Sequence, residues 1–467
     1  MMDGVTVGDL VAWTGGRLAS GFSGEPVRRV THDTRSLRPG DVYVALKGDR
    51  FDGHDFAARA LDMGAAGLVV SQPLAGAGRE RVVIEVGDTL AALQAIAAGY
   101  RSRFHIPIVG ITGSNGKTAT KDLAAAALGA AMPVHVSPGN WNNHVGVPLA
   151  LLQIDGRHRA AVLELAMNHP GEIARLAALA RPTVGVITNI GPAHLGLLGS
   201  EEAVLAAKWE LIEALPADGS AILNADDPTL SARASMAARR VRRVITFGLA
   251  GQADVRAEEV GATPAGTSFR LVIGRASEMV RIPLLGRFQV ANALAAAAVG
   301  TALGVAPDVL ARGLARVKPA AQRMEVQEAG GITFVNDAYN ANPASMRAAL
   351  AEFAVLYPSM RRVLVLGDML ELGEFAERSH EALGAAAAAT GPALLFALGE
   401  WAEVVARGAQ RAGLSRDMIA VCRERVAAEA GLLRALRPGD AVLFKGSRGM
   451  KLEEVMAHVV SAVLPAA

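Results

Sequence analysis

The chain has 467 residues, more than one hydrophobic core usually organises, so its length predicts two or three domains. Hydrophobic residues make up 51% of the chain and aromatic residues 4%, and the abundance of Ala and Gly favours an α/β protein over a β-sandwich. Because 47 Lys+Arg stand against 45 Asp+Glu, the sequence does not predict the basic surface that a nucleic-acid-binding protein needs.

Three features indicate the compartment. The single cysteine, Cys422, excludes an intramolecular disulfide framework and suits a reducing cytosol. The first residues, MMDGVTVGDL, lack the basic flank and the apolar core of a signal peptide. The longest weakly polar run, residues 290–306, contains Asn292 and Thr301 and therefore predicts a buried helix instead of a membrane span. We expect a cytoplasmic protein.

The first segment, residues 1–105, contains short runs that are typical of strands. These lie at 41–46, 67–70 and 81–85, and a helical run at 89–101 closes the segment. The pattern predicts a small N-terminal α/β domain.

The second segment, residues 106–319, opens with the apolar strand IPIVGI, a Gly-rich turn and an Ala-rich helix. Two further strands are predicted at 159–165 and 183–190, and each ends in polar residues. Strands that alternate with helices indicate a central domain with a mostly parallel sheet of the P-loop ATPase kind.

The third segment, residues 320–467, repeats this alternation. Its strand-like runs are GITFVND, RRVLVLGD, ALLFALGE, MIAVC and AVLFKGSRG. A second doubly wound, Rossmann-like domain is therefore predicted at the C-terminus.

The turn after IPIVGI carries the strongest single motif, TGSNGKT. Its members Gly113, Ser114, Asn115, Gly116, Lys117 and Thr118 follow a strand and open a helix. Backbone N–H groups of such a loop can bind phosphate, the lysine can bridge the outer phosphates, and the threonine hydroxyl can bind Mg²⁺. The spacing is that of a shortened GxxGKT loop, and an ordinary Gly-rich turn is the alternative; the flanking strand and helix favour ATP binding.

Two other strands of the second segment end in residues that could bind a metal. Glu164 closes one strand, and His194 follows the next. Because ligands collect at the carboxyl ends of the strands in open α/β sheets, these side chains and Thr118 could surround a metal-bound phosphate. Taken singly, a helix cap or ion pair for Glu164 and a structural loop position for His194 are the alternatives.

Lys208 lies on an apolar stripe of the predicted helix SEEAVLAAKWELIEAL. The stripe comprises Val204, Leu211, Ile212 and Leu215. A buried ammonium there would have a depressed pKa, so the neutral amine could react with CO₂ and form a carbamate that binds metal. The alternative is a side chain that passes Trp209 and reaches solvent.

Together with further motifs, these residues make the sequence similar to the Mur ligases along nearly its whole length. The motifs are DTRSLRPGDVYVALKGDRFDGHDF, TGSNGKTATK, GNWNNHVGVPLALL, LELAMNHPGEI, GPAHL, LLGRFQVANALAAAA, NDAYNANPASM, LGDMLELGE and FKGSRGMKLEE. Within that family, the NANP and NN-x-x-GVP elements favour a member that adds D-alanyl-D-alanine.

The resemblance implies an ATP- and magnesium-dependent amide ligase that acts through an acyl phosphate. D-alanyl-D-alanine would be joined to UDP-N-acetylmuramoyl-tripeptide, whose third residue is diaminopimelate or lysine, to give the pentapeptide precursor of peptidoglycan. The product would serve the cell wall, and through it cell shape and division. Two magnesium ions, a carbamylated Lys208 and a monomeric state are expected.

The resemblance also implies roles for particular residues. Lys117, Lys208, Glu164 and His194 would be catalytic, and Thr118, Glu164, His194 and Lys208 would bind the metal. The nucleotide would contact the phosphate loop together with Asn292, Arg323 and Asp337. The substrate would contact Thr34, Arg35, Asp52, Gly53 and His54 in the UDP-sugar pocket, Asn142 and Asn143 near the reacting group, and Tyr339, Asn340 and Asn342 on the dipeptide side.

Several positions depart from the family pattern: His144 stands where an acidic residue is common, and Leu165-Ala166-Met167 differs from the more common Gly-containing version. Phe288 stands where many relatives carry His, and Gln322 replaces the Gly that usually precedes the arginine at position 323. The alternatives are a sister ligase that adds the third amino acid, a folate-polyglutamate synthetase, and a P-loop ATPase switch. The sister ligase should carry an Asp-x-Pro-Arg element, and the folate-polyglutamate synthetase should lack residues 1–105. An ATPase switch would not require Lys208.

Overall fold

The computed structural model describes residues 2, 4–48, 50–73, 81–191 and 198–464. Within these ranges the strands form three separate sheets, one in each predicted segment. The predicted α/β class is confirmed.

The first sheet is parallel except at one edge. Its strands, in spatial order, are Arg17–Ser20, Val82–Glu85, Gly67–Val70, Val42–Val44 and Val30–Thr31. Only the first pair is antiparallel. Helices Val7–Thr14, Ala57–Asp62 and Thr89–Arg101 accompany it, with 3₁₀ turns at Thr34–Ser36 and Gly53–Phe56. The helix at 89–101 begins where predicted because the Asp88 carboxylate caps the backbone N–H groups of Leu90 and Ala91.

The central sheet holds the phosphate loop. Its strands, in order, are Ala276–Ile282, Gly266–Ile273, Val255–Thr263, Arg243–Gly248, Ser220–Asn224, Val184–Ile187, Ile108–Thr112, Ala160–Glu164 and Val134–Val136. The surrounding helices are Lys117–Gly129, Gly146–Leu151, Glu172–Ala180, Glu201–Glu213, Pro228–Ser231, Ala234–Arg240, Arg287–Ala302 and Pro307–Leu314. The strands from 255 to 282 pair antiparallel and extend the otherwise parallel sheet, an extension that the sequence did not predict.

The third sheet follows the predicted alternation closely. Its strands, in order, are Glu325–Ala329, Ile332–Asn336, Asp440–Lys445, Arg361–Gly367, Leu394–Leu398 and Ile419–Cys422. Its helices are Pro343–Leu356, Ala376–Ala389, Ala402–Arg411, Arg425–Ala435 and Leu452–Val463, with 3₁₀ turns at Gly373–Phe375, Arg416–Met418 and Arg448–Met450. Apart from the antiparallel pair at its first edge, the sheet is parallel.

One hydrophobic core joins the first two sheets. Val42 and Ile84 of the first sheet belong to the same buried cluster as Leu149 and Leu163 of the central region. Burial of this shared apolar surface fixes the N-terminal sheet against the central one.

The predicted buried helix at 290–306 is observed as Arg287–Ala302, and its alanines 295–298 are fully buried. None of the helices in the described ranges is both long and apolar enough to cross a membrane.

Candidate active site

Two glycines give the phosphate loop, residues 113–116, its shape. Gly113 has φ +148° and Gly116 has φ +80°, backbone conformations that side chains rarely adopt. A β-carbon at Gly113 would overlap the Thr188 hydroxyl, and one at Gly116 would overlap the Asn292 amide oxygen. The loop therefore packs tightly against two neighbouring elements, and its backbone lies at the N-terminus of the helix Lys117–Gly129.

The loop is also held by hydrogen bonds with the residues that follow the neighbouring strand, Val184–Ile187. The Asn115 N–H donates to Asn189 Oδ1 at 2.9 Å, and Thr188 Oγ1 donates to the Asn115 carbonyl at 2.5 Å. The Ser114 hydroxyl donates to the Gly191 carbonyl at 3.1 Å. The loop is thus preorganised by its surroundings.

Lys117 folds back over the loop. Its Nζ donates to the Gly113 carbonyl at 2.8 Å and lies 3.4 Å from the Ser114 carbonyl. Burial lowers the pKa of Lys117, while the Glu164 carboxylate opposes that shift. The ammonium is therefore held where a phosphate group on the loop would meet it.

Glu164 and Thr118 meet as predicted. Thr118 Oγ1 donates to Glu164 Oε2 at 2.8 Å, and Asn142 Nδ2 donates to Glu164 Oε1 at 2.8 Å. Both carboxylate oxygens thus have partners although the residue is buried. A hydroxyl and a carboxylate side by side are oxygen donors of the kind that Mg²⁺ prefers.

The third sheet reaches this site through two residues. Arg323 Nη2 donates to Thr118 Oγ1 at 3.0 Å, and Asn342 Nδ2 donates to Asn115 Oδ1 at 2.7 Å. The Arg323 guanidinium also lies 4.2 Å from the centre of the Tyr339 ring. The third segment therefore contacts the phosphate loop at Asn115 and the first turn of the following helix at Thr118.

Asp337 has a cationic partner that the sequence alone did not assign. Lys445 Nζ donates to Asp337 Oδ2 at 2.6 Å and to the Asn340 carbonyl at 3.2 Å. Lys445 is buried, so the pair is shielded from solvent. Lys445 also lines the cavity, so it belongs to the site and not to an exposed surface turn.

These contacts surround one cavity of about 600 Å³, a volume suited to a nucleotide-sized ligand. The predicted residues that line it are Ser114, Asn115, Gly116, Lys117, Thr118, Asn142, Glu164, Asn292, Arg323, Asp337, Tyr339, Asn340 and Asn342. Residues from two sheets, far apart in sequence, thus converge on a single site.

Lys208 is buried, with only 2% of its surface exposed, so it does not reach solvent past Trp209. Burial and the nearby Lys117 cation hold the pKa of Lys208 well below its usual value. Its neighbours on the stripe, Val204 and Leu211, are fully buried. The inward orientation predicted from the helical spacing is confirmed.

Several predicted residues do not line this cavity. Asn143 lies in the turn before the helix Gly146–Leu151, where its Oδ1 accepts hydrogen bonds from the N–H groups of Val145 and Gly146. The predicted UDP-sugar residues Thr34, Arg35, Asp52, Gly53 and His54 lie with the first sheet. His194 falls outside the described residues.

In the first segment, His54 is buried between two partners. Its Nδ1 lies 2.6 Å from Asp52 Oδ1, and its Nε2 accepts the Ser71 N–H at 3.0 Å. Arg35 is exposed and paired with Asp33. Asp52 and His54 therefore form a fixed turn, whereas Arg35 presents its charge to solvent.

Phe288 and Gln322, two of the departures from the family pattern, lie in the cavity lining and next to it in the chain, respectively. Gln322 has φ +61°, a backbone conformation that favours Gly, and its amide oxygen accepts a hydrogen bond from Arg448.

The sequence patterns did not single out Lys121, Ser137 or Asn189. Ser137 and Asn189 lie in loops without a recognisable spacing, and their partners became visible only in the folded chain. Lys121 offered one signal, because it follows Lys117 by four residues and so lies near it on the same helix.

Among the described residues, no three His, Cys, Asp or Glu side chains converge as a metal-binding group. Glu164 instead stands with the Thr118 hydroxyl, so a metal here would depend on Thr118, Glu164 and ligands from outside the described residues or from the nucleotide.

A phosphate loop on a mostly parallel sheet, with an arginine of the third segment in contact with the helix that follows it, is typical of α/β nucleotide-binding proteins. Three family models match the chain: "Mur ligase family, catalytic domain" over residues 26–101, "Mur ligase middle domain" over 111–300, and "Mur ligase, glutamate ligase domain" over 322–448. The chain belongs to the Mur ligase family.

Individual relatives resemble the chain along most of its length. UDP-N-acetylmuramoyl-tripeptide–D-alanyl-D-alanine ligase of Bacillus subtilis is 38% identical over 443 residues, which cover 94% of each chain. A crystal structure of MurF from Acinetobacter baumannii superposes with a TM-score of 0.88 at 32% identity and covers 98% of each chain. MurF ligase from Thermotoga maritima in complex with ADP has a TM-score of 0.82 at 29% identity, over 94% of this chain and 98% of that one.

Proposed function

We propose that the protein is an ATP-dependent ligase that joins D-alanyl-D-alanine to UDP-N-acetylmuramoyl-tripeptide. The observation that carries the proposal is the hydrogen bond from Arg323 to Thr118, which places the third sheet against the phosphate loop over a shared cavity. The names of the relatives at 34–38% identity supply the substrates, and the ADP complex of the Thermotoga relative supports ATP as the nucleotide.

In this proposal the phosphate loop and Lys117 bind the ATP phosphates. The loop N–H groups and the helix N-terminus favour negative charge, and Lys117 is already turned toward the loop. Asn292 faces Gly116 and Thr120 and would lie near the adenine, while Arg323 and Asp337 complete the nucleotide site from the third sheet.

The donor set fits a magnesium ion. Thr118 Oγ1 and Glu164 Oε2 are neighbouring oxygen donors, and we assign them to Mg²⁺ together with His194. When bound, the metal would neutralise phosphate charge. A second magnesium is assigned to a carbamate on Lys208, because a buried lysine with a depressed pKa offers a neutral amine that can attack CO₂.

The chemistry needs positioning and charge neutralisation more than a protein nucleophile. The terminal carboxylate of the tripeptide attacks the γ-phosphorus of ATP and releases ADP, which leaves an acyl phosphate. The amine of D-alanyl-D-alanine then adds to the acyl carbon, and the tetrahedral intermediate expels phosphate and forms the amide. Lys117 and Arg323 are placed to stabilise the charge that develops on the phosphoryl oxygens.

The substrate sides are assigned by position. Thr34, Arg35, Asp52, Gly53 and His54 would bind the UDP-sugar, Asn142 and Asn143 would lie near the reacting carboxylate, and Tyr339, Asn340 and Asn342 would face the dipeptide. Asn142 is the best supported of these because it already contacts Glu164. We further propose a monomer that acts in the cytoplasm.

The test is a reaction of the purified protein with ATP, Mg²⁺, UDP-N-acetylmuramoyl-tripeptide and D-alanyl-D-alanine, followed by phosphate release and product mass. Phosphate release that requires both substrates, with a product heavier by one dipeptide, is the expected result. Phosphate release indifferent to both would favour an ATPase switch, and turnover with a single amino acid would favour a sister ligase. Parallel assays with diaminopimelate and lysine in the tripeptide identify the accepted third residue.

A further inference from the structure

Lys121 is a buried cation that the proposed reaction does not use. It lies one turn after Lys117 on the helix Lys117–Gly129, and only 2% of its surface is exposed. Its Nζ donates to the Ser137 carbonyl at 3.0 Å and to the Gly139 carbonyl at 2.7 Å. The neighbouring Asp122 carboxylate lies 3.4 Å from the ammonium and balances its charge. A buried ammonium is costly, so its position beside two loop carbonyls calls for a reason.

The segment that Lys121 holds, residues 137–142, surrounds Glu164. Ser137 Oγ accepts the Glu164 backbone N–H at 3.2 Å, and Asn142 Nδ2 donates to Glu164 Oε1 at 2.8 Å. The Asn142 carbonyl in turn accepts the Ala166 N–H at 2.8 Å. The segment therefore fixes both the backbone and the carboxylate of Glu164.

These contacts close a ring of hydrogen bonds. Thr118 and Lys121 lie on one helix; Thr118 contacts the Glu164 carboxylate directly, while Lys121 contacts the segment that orients it from the other side. If the ammonium is removed, the Ser137 and Gly139 carbonyls lose their partner, and the segment is free to move relative to the helix.

We propose that Lys121 is a positioning residue, which holds the segment 137–142 so that Glu164 presents its carboxylate to the metal–nucleotide beside Thr118. The inference rests on the proposed function, in which Glu164 binds Mg²⁺. Lys121 does not line the cavity, so in this proposal it acts through Glu164 and not directly on substrate or metal. Loss of such an outer partner typically weakens metal binding by about 10- to 100-fold.

The experiment measures ADP binding to the full-length protein by calorimetry, once with EDTA and once with saturating Mg²⁺. The ratio of the two dissociation constants is the magnesium-dependent gain in affinity. We expect Lys121→Met to keep the EDTA value of the wild type and to lose about tenfold or more of the gain. Leu128→Ala, a buried change on the same helix, is the matched control and should lose thermal stability while it keeps the gain.

Two further variants keep the inference testable. If Lys121→Met does not fold, Ser137→Ala removes the hydroxyl that Glu164 contacts and should itself reduce the gain several-fold. In a double-mutant cycle, Lys121→Met and Asn142→Ala should be non-additive, because both act on Glu164.

An unchanged magnesium-dependent gain in folded Lys121→Met overturns the inference, and so does a loss of ADP affinity that is equal with EDTA and with Mg²⁺. If Lys121→Met does not fold, an unchanged gain in Ser137→Ala overturns it. The ligation assay separates this failure from that of the proposed function. A wild type that ligates the dipeptide while Lys121→Met keeps the full gain overturns only the role of Lys121. If the wild type does not ligate the dipeptide but shows a magnesium-dependent gain that depends on Lys121, only the substrate assignment is overturned. If the wild type shows no such gain, both the magnesium assignment and the role of Lys121 are overturned.

Discussion

Arg323 donates a hydrogen bond to Thr118 Oγ1 at 3.0 Å, although 205 positions separate the two residues in the chain. The same hydroxyl donates to Glu164, so it links a residue of the third segment to the carboxylate at the end of a central strand. Stacking of the guanidinium on Tyr339 limits its freedom. The position of Arg323 is thus set by two contacts, one with Thr118 of the central segment and one with Tyr339 of the third segment.

Replacement of Arg323 by Ala is expected to reduce kcat/KM for ligation by about 100- to 1,000-fold, because a preorganised donor to the transferring phosphoryl group is lost. Coupled phosphate release and product mass measure the effect. Arg316→Ala, at an exposed position in the same connection, is the control and should retain wild-type rates. Wild-type kcat/KM in Arg323→Ala would remove the arginine from the mechanism.

Gly116→Ala tests the shape of the phosphate loop. With φ +80°, a side chain at this position costs about 1–2 kcal/mol from the left-handed backbone alone, and its β-carbon would also overlap the Asn292 amide. We expect lower stability and loss of ADP binding in calorimetry. Gly129→Ala is the matched control, because Gly129 is the last residue of the helix that begins after Gly116 and has open space around it; the change should stabilise the protein by up to about 1 kcal/mol. ADP binding at wild-type affinity in Gly116→Ala would contradict the loop assignment.

Lys208→Ala is expected to abolish most ligase activity, and short carboxylates such as formate or acetate should restore part of it by replacing the carbamate. Carbon NMR of the wild type in ¹³C-bicarbonate should show a carbamate signal that the variant lacks. Lys318→Ala, an exposed lysine, serves as the control. Full activity in Lys208→Ala would rule out the carbamate.

The lowered pKa of His135 predicts that the stability of the protein depends on pH. Burial, followed by the neighbouring His158, lowers the pKa of His135 from 6.5 to about 4. Between these values the unfolded chain binds a proton that the folded chain does not, so the free energy of unfolding falls as the pH drops from 6.5 to 4 and levels off below. The contribution of this residue is about 3 kcal/mol at most.

Urea unfolding at several pH values between 7.5 and 4 measures this slope. His135→Phe should flatten it, whereas His105→Asn, at an exposed position, should leave it unchanged. An equal slope in His135→Phe and the wild type would assign the pH dependence to other groups.

Local patterns accounted for most strands and for the helices near the site. The strand at Gly67–Val70 and the helix at Thr89–Arg101 have the predicted bounds, because apolar runs and an Asp cap are signals within a few residues of sequence. The antiparallel extension at 255–282 was missed since its strands alternate buried and exposed residues on a partly solvated face, which weakens the apolar signal.

The sequence by itself determined the phosphate loop, the inward orientation of Lys208 and the resemblance to the Mur ligases, because each depends on residue types at short, regular spacings. Only the tertiary structure decided that Arg323 meets Thr118, that Lys445 neutralises Asp337, and that Lys121 holds the segment beside Glu164. Two of these contacts join residues that are distant in the chain, and the third joins a side chain to the carbonyls of a loop. All three depend on how sheets and loops pack. Packing is a property of the whole folded chain, so no local pattern encodes it.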